Sequence, residues 1–318
     1  MDGRVLVTGA SGFVGRELVR RLAASGRDVL GITREELIAR GQNGDAAVVA
    51  ASDWSRLMAE EHVDAVVHLA ARAHVLEEGV SDPSREFRRI NVTLTERLVV
   101  GAIEAGVRRF VFLSSIGVLG NDSGARSFDP TDPPHPLEPY AQSKWEAEQR
   151  LAQLAYEART ETVVIRPPLV YGPAVKGNFL RLLQLVDSGV PLPFGGLRSR
   201  RSFLGLDNLC DLIVTTIDHP AAAGGTFLAA DDERVTLPEL LRAIAEGLGQ
   251  RVRLFRLPPG LMRAFAKLAH RERELERLAG SLTIDDGRTR TRLAWRPSVS
   301  FTTGILRMTD WYLREVAR

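Results

Sequence analysis

A rhythm of short apolar runs constrains this chain more than any other feature. RVLVT (4–8), DVLGIT (28–33), AAVVAA (46–51), VDAVVHLAA (63–71), RRFVFLSS (108–115) and TVVIRPP (162–168) are separated by longer stretches with helical patterns. The runs are rich in Val and Ile and do not alternate apolar with polar. A strand covered on one face alternates, whereas a strand covered on both does not. Each run is therefore expected to be an interior strand of a parallel sheet. The stretches between them supply the crossover helices, among them GRELVRRLAASG (15–26) and PSREFRRINVTLTERLVVGAIEAG (83–106). Asp82 and Pro83 mark the start of the second as N-cap and first helical residue. Strand and helix in alternation imply an α/β protein with a Rossmann-type, doubly wound parallel sheet.

The first run ends in TGASGFVG (8–15), which opens the first helix with Gly9, Gly12 and Gly15 spaced three apart. One glycine makes the sharp turn, one lets backbone approach a pyrophosphate, and one lets helix pack on strand. The helix N-terminus adds free N–H groups and partial positive charge. A glycine-rich loop without ligand is the plain alternative; the first-strand position favours a dinucleotide. The acidic residue that usually ends the second strand and holds the ribose hydroxyls is absent, and Thr33-Arg34 stands there. An arginine can stack on adenine and pair with a 2′-phosphate, so NADP(H) is favoured over NAD(H). Glu35 and Glu36 follow, and either could still take a ribose.

After about residue 171 proline and glycine cluster at VPLPFGG (190–196) and LPPG (257–260), and helical segments at 207–218, 236–248, 261–279 and 303–317 mix with short strands. Residues 1–171 are expected to form the cofactor domain and 172–318 a smaller substrate lobe, with segments near 201–222 returning to the first. The basic stretch LMRAFAKLAHRERELERLAG (261–280) reads as a lobe helix with a solvated face. The 318 residues carry 42 Lys plus Arg against 40 Asp plus Glu, a balance that gives nucleic acid no hold. A single cysteine, Cys210, excludes an internal disulfide and fits a reducing compartment. No apolar run reaches the roughly 18 residues of a membrane span. Met1-Asp2-Gly3-Arg4 leads straight into the first run, leaving no room for a signal peptide, so a cytoplasmic protein is expected. No His, Cys or carboxylate cluster has metal-ligand spacing, and no metal is implied.

Positions 140 to 144 read YAQSK. A phenol and an ammonium titrate near about 10 and about 10.4 when free. Placed one helical turn apart beside a positively charged nicotinamide, the ammonium makes the phenolate much less costly. Tyr140 could then pass a proton to or from an alcohol oxygen.

TGASGFVG, Asp53, HLAA (68–71), Asn91, SSIGVLG (114–120), YAQSK and RPPLVYGP (166–173) occur in the order seen in the extended short-chain dehydrogenase/reductases, and the chain resembles that family over nearly its whole length. The resemblance implies catalytic roles for Ser115, Tyr140 and Lys144, with Ser115 binding the reacting oxygen and Lys144 also holding the nicotinamide ribose. It implies cofactor contacts from Gly9, Gly12, Phe13, Val14, Gly15, Thr33, Arg34, Asp53, Leu69, Ala70, Ala71, Asn91, Tyr140, Lys144 and Pro167. His68 reads as a satisfied core histidine, while His74 could face the pocket.

The nucleotide-sugar subgroup is the most similar. Asn178 and Arg201 match its diphosphate-holding positions, and Ser115 and Leu169 would meet the sugar. Arg198 and Arg200 crowd the same loop. The subgroup's 4,6-dehydratases carry an Asp-Glu pair after the catalytic hydroxyl, where Ile116 and Gly117 stand here, and the usual VYG tyrosine is Leu119. The shared stretches RPPLVYGPAVKGNFLRLL (166–183), GVPLPFG (189–195) and RRSFLGLDNLCDLIV (200–214) look most like NADPH-dependent reductases of a UDP-4-keto-6-deoxy-N-acetylhexosamine for bacterial surface polysaccharide. A UDP-hexose 4-epimerase with tightly bound NAD is the alternative. A non-catalytic NADP sensor is a third reading, opposed by the intact Ser115, Tyr140 and Lys144. The family's mode of association implies a homodimer that pairs the helices near 90–105 and 140–157 in a four-helix bundle.

Overall fold

A computed structural model of the protein describes residues 3–33, 36, 38–40, 46–48, 50–72, 85, 87–258, 260–262, 267 and 280–317. Arg34, Glu35, His74, Asp82, Pro83 and most of 263–279 lie outside the described residues.

The sheet follows from the apolar runs. Strands β1 (Arg4–Thr8), β2 (Val29–Ile32), β5 (Val63–His68), β6 (Arg109–Leu113), β7 (Glu161–Arg166) and β10 (Thr226–Leu228) form one sheet in the order β10-β7-β6-β5-β1-β2. Every pairing in it is parallel. Successive side chains feed opposite faces, as the pleat requires. Val5, Val7, Ala65, Val67, Val111, Val163 and Ile165 meet helices α1 (Phe13–Ala24) and α6 (Leu206–Asp218). Leu6, Val66, Phe110 and Phe112 meet α2 (Ala51–Glu60), α3 (Leu94–Glu104) and α4 (Pro139–Ala155) on the other face. With both faces covered, no strand can afford a polar alternation.

AAVVAA departs from expectation. Its first three residues, β4 (Ala46–Val48), pair antiparallel with β3 (Ile38–Arg40) in a separate two-stranded sheet, and its last, Ala51, opens α2. An antiparallel partner a few residues away needs only a short turn, whereas a parallel place in the sheet needs a crossover of a dozen or more residues.

Beyond the first sheet, β8 (Leu169–Tyr171), β9 (Arg200–Gly205) and β11 (Arg234–Thr236) form a three-stranded sheet. Helices α5 (Asn178–Asp187), α7 (Leu237–Gly247) and α9 (Phe301–Glu315) cover it with Phe179, Leu183, Leu240, Ile244, Ile305 and Met308. The short α8 (Gly287–Leu293) precedes the last of these. Phe13 packs against both this core and the α1–α6 core, so the start of α1 lies on the seam between them. Among the described residues no helix is long and apolar enough to cross a membrane.

Buried Asp231 fastens the seam. Its carboxylate accepts from Tyr171 Oη at 2.7 Å, Asn208 Nδ2 at 2.7 Å and the Gly205 N–H at 3.1 Å. Asn208 in turn accepts from Ser298 N and Val299 N at 3.0 Å. Burial raises the Asp231 carboxyl above its usual range against the pull of these donors. Asp231→Ala removes the shared acceptor of three buried donors, leaving the Gly205 N–H unpaired and Tyr171 and Asn208 with only Phe301 O and Val299 O, and is expected to lower unfolding free energy by about 2 kcal/mol in urea melts. A loss under about 1 kcal/mol would show that water replaces the carboxylate.

Candidate active site

The C-terminal ends of β1, β5, β6 and β7 converge, and each carries a polar group at its end. Gly9 has φ +72, a region that side chains disfavour, and a Cβ there would stand 2.9 Å from Ala70 N. A Cβ on Gly15 would intrude on the Gly9 carbonyl oxygen and come within 2.8 Å of Ala10 Cα. Gly12 caps α1, which has no side-chain cap bond. The turn thus offers bare backbone at a helix N-terminus, a cradle that fits a dinucleotide pyrophosphate. Phe13 and Val14 are the first helical residues behind it. Leu69 N donates to Thr8 O at 3.3 Å and Ala70 N to Thr8 Oγ1 at 3.3 Å, which lays Leu69-Ala70 against the glycine turn. Ala71 next to them is exposed.

His68 is buried and bonded on both ring nitrogens, and proton counting fixes its form. Thr95 Oγ1 gives its hydrogen to Asn91 O at 2.6 Å, so at 3.0 Å it must accept from His68 Nε2–H. Burial and the nearby Lys144 charge hold the imidazole well below its usual pKa and keep it neutral. Nδ1 then accepts from Thr8 Oγ1 at 2.7 Å. Beyond Thr95, the Asn91 amide bonds the backbone of Arg72 in both directions at 2.8 and 3.1 Å and donates to Ser143 Oγ at 2.9 Å. Ser143 Oγ donates to Tyr140 O at 2.7 Å. One line of hydrogen bonds therefore runs from the glycine turn to the helix that carries Tyr140.

Pro139 opens α4 at its first turn, which puts Tyr140, Lys144 and Glu148 on one face at helical spacing. Tyr140 meets Phe87 edge-on at 6.1 Å, and burial pushes its phenol up to about 12. Lys144 Nζ donates to Leu113 O at 2.8 Å and lies 4.5 Å above the Phe112 ring. Burial pushes its ammonium down to about 7, and Glu148 opposes the fall. Ser115, just past β6, accepts from Gly117 N at 3.1 Å. A Cβ on Gly117 would stand 3.3 Å from Ala141 Cβ and 3.4 Å from Ser115 Oγ, so the serine turn packs on the first turn of α4. Pro167 O accepts from Ile116 N at 2.9 Å, which brings the end of β7 to the same place.

The remaining expected residues spread outward. Leu169 on β8 is 44% exposed. Asn178 is the first residue of α5 after Gly177, whose φ is +63. Arg201 on β9 donates to Gly280 O at 3.0 Å, and burial lowers its pKa while Asp122 opposes. Arg200 turns to Arg234 O at 2.6 Å. Asp53 lies in the first turn of α2 with its carboxylate 3.3 Å from Arg56. At the end of β2, Thr33 N and Oγ1 donate to Glu36 Oε2 at 2.6 and 2.7 Å, which lowers the Glu36 pKa. A carboxylate therefore does stand at this strand end, three residues later in the chain than expected.

Ser114, Glu148 and Arg166 are the residues that the sequence reading missed. Each adjoins a named motif: Ser114 precedes Ser115, Glu148 follows Lys144 by one turn, and Arg166 precedes Pro167. Arg166 forks onto Glu148 with Nε at 3.0 Å and Nη2 at 2.5 Å, and Ser114 Oγ donates to the same carboxylate.

The model of the NAD dependent epimerase/dehydratase family matches residues 5–230. A relative from Vibrio cholerae described as UDP-glucose 4-epimerase is 35% identical, over 99% of this chain and 97% of its own. A Pseudomonas aeruginosa relative described as GDP-6-deoxy-D-mannose reductase is 26% identical over 99% of both. Among solved structures, MoeE5 in complex with UDP-glucose and NAD superposes with a TM-score of 0.74 at 25% identity, over 99% of this chain and 100% of the other. UDP-N-acetylglucosamine 4-epimerase from Bacillus cereus shares the fold, with a TM-score of 0.76 at 19% identity over 99% of both chains.

A neutral His68 ties stability to pH. Its folded pKa lies below the ordinary 6.5, so below that pH the unfolded chain takes up a proton that the folded chain refuses. Stability is complete above about 6.5 and falls on acidification, by up to about 1.4 kcal/mol per pH unit. His68→Asn is expected to flatten that slope in urea melts between roughly pH 6.5 and 5. An unchanged slope would mean that His68 charges freely in the folded state.

Proposed function

The chain belongs to the NAD dependent epimerase/dehydratase family, as an NAD(P)-dependent oxidoreductase or epimerase of nucleotide sugars, and from that premise we propose that it is a UDP-sugar 4-epimerase holding NAD. The observation that carries the reading is the packing of the Ser115 turn on the Tyr140–Lys144 helix, beside a glycine turn shaped for a pyrophosphate. The relatives that interconvert C4 stereochemistry support it. Glu36 supports NAD over NADP: a carboxylate at the end of β2 suits ribose hydroxyls and repels a 2′-phosphate.

Bound nicotinamide supplies a hydride acceptor at C4 of the sugar. The chain's own residues do the rest. Ser115 Oγ binds the O4 hydroxyl and Tyr140 takes its proton. Lys144, as an ammonium, lowers the cost of the phenolate formed at Tyr140. Its charge, with the positive charge that a bound nicotinamide would bring, opposes the burial that pushes the phenol up to about 12. Asn178 and Arg201 would hold the diphosphate, and Leu169 would face the sugar. A cofactor domain of residues 1–171 to which α6 and β10 return, a substrate lobe from the rest of 172–318 and a homodimer through the helices near 90–105 and 140–157 belong to the same proposal.

A second reading, the NADPH-dependent reduction of a UDP-4-keto-6-deoxy sugar, draws on Arg34 and on the PAVKGNF stretch (173–179). The two separate on whether cofactor is consumed. Purified protein should release NAD on denaturation and convert UDP-glucose or UDP-N-acetylglucosamine to its 4-epimer with no net change at 340 nm. Oxidation of added NADPH by a UDP-4-keto-6-deoxy sugar, without epimer formation, would replace the epimerase reading with the second.

Tyr140→Phe is expected to lower kcat at least about 100-fold while NAD affinity stays within a few-fold. Near-normal turnover would move the proton transfer elsewhere. Glu36→Ala is expected to weaken NAD about tenfold and NADP little, read by fluorescence titration. Equal loss of both would confine Glu36 to capping Thr33.

A further inference from the structure

We propose that Glu148 is a positioning residue for the reaction: with Arg166 and Ser114 it forms a buried clamp that holds two strand ends against the Tyr140–Lys144 helix and supplies the counter-charge that keeps Lys144 an ammonium. The inference rests on Lys144 being the working ammonium of the site, and not on the identity of the sugar.

Geometry carries it first. Glu148 is 5% exposed and Arg166 5%, and the guanidinium engages both carboxylate oxygens. Ser114, also buried, donates into the same carboxylate. The backbone bonds Ser114 N to Ile165 O at 2.7 Å and Ile116 N to Pro167 O at 2.9 Å tie the same strand ends together. Glu148 thus grips the residue before Ser115 and the residue before Pro167, from the helix that carries Tyr140 and Lys144. A surface pair would contribute little, but a pair this buried fixes position and cannot lose one partner cheaply.

Charge follows from the same placement. Among the described residues, Glu148, one turn along the same helix, acts on Lys144, the Lys144 charge acts on neutral His68 at the end of β5, and Arg166 from β7 pairs with Glu148. Lys144 is 1% exposed and donates to a neutral carbonyl, Leu113 O. Glu148 favours the ammonium, while Arg166 draws on the same carboxylate and opposes it. The couple therefore sets the pH above which the site loses its ammonium.

The opposite signs of the two partners make the test. The chain holds only three lysines, at 144, 176 and 267. Protein labelled with ¹³C at lysine Cε gives three signals, and Lys144→Arg identifies the buried one. It is expected to titrate near about 7. Glu148→Gln should lower that midpoint by about one pH unit and Arg166→Gln should raise it, while Arg166→Lys leaves it nearly unchanged. A merely structural clamp would lower the melting temperature in both Gln variants and move the midpoint in neither. Equal-direction shifts, or no shift, overturn the proposal. If Glu148→Gln does not fold, Arg166→Gln decides alone: a rise supports the counter-charge, and a fall or no change removes it. The readout needs no substrate, so its failure is distinct from a failure of the epimerase reading.

Discussion

The site depends on one neutral imidazole. His68 ends β5 between Thr8, at the end of β1, and Thr95 in α3, and it satisfies both only as the Nε2–H tautomer. From it, hydrogen bonds run one way to Ala70 beside the glycine turn and the other way to Asn91, Ser143 and the backbone of Tyr140. Each hydroxyl on the path donates once and accepts once. Reversing any link would leave a buried donor facing a donor, so the arrangement has a single state. The glycine turn and the helix that carries Tyr140 come from parts of the chain about 130 residues apart, and this path fixes their spacing.

Burial does the chemistry's preparatory work. Inside the sheet's C-terminal edge, the same desolvation raises the Tyr140 phenol, lowers the Lys144 ammonium and keeps His68 uncharged. The directions differ because burial disfavours the charged form of each, an anion for Tyr140 and a cation for Lys144 and His68. Positive charge brought beside Tyr140 would shift that balance at the phenol toward the anion.

Much of this was legible in the chain. Non-alternating Val and Ile runs announced strands covered on both faces, and β1, β5, β6 and β7 formed there because helices on either side leave no room for water, while β2 took the sheet edge with Gly31 exposed. Gly9 and Gly15 were legible because side chains are sterically excluded at both. His68 read as a satisfied core residue and is one. AAVVAA misled because apolar composition does not encode which partner a short strand takes. Glu148 and Arg166 were invisible for a different reason: charged residues in sequence look like surface, and only the fold shows that they pair in the interior. The expected acid of β2 was missing from its usual position, yet Glu36 reaches the strand end by folding back on Thr33, a contact that spacing alone does not reveal.

On the proposed epimerase reading, a hydride leaves C4 of a UDP-sugar and returns to the same carbon within one closed site. UDP-glucose and UDP-N-acetylglucosamine carrying deuterium at C4, with unlabelled free NAD and NADP present, separate this from net redox. The 4-epimer should keep its deuterium at C4, and none should reach the free cofactor or water. Deuterium in the free cofactor pool, or wash-out to solvent, would contradict it.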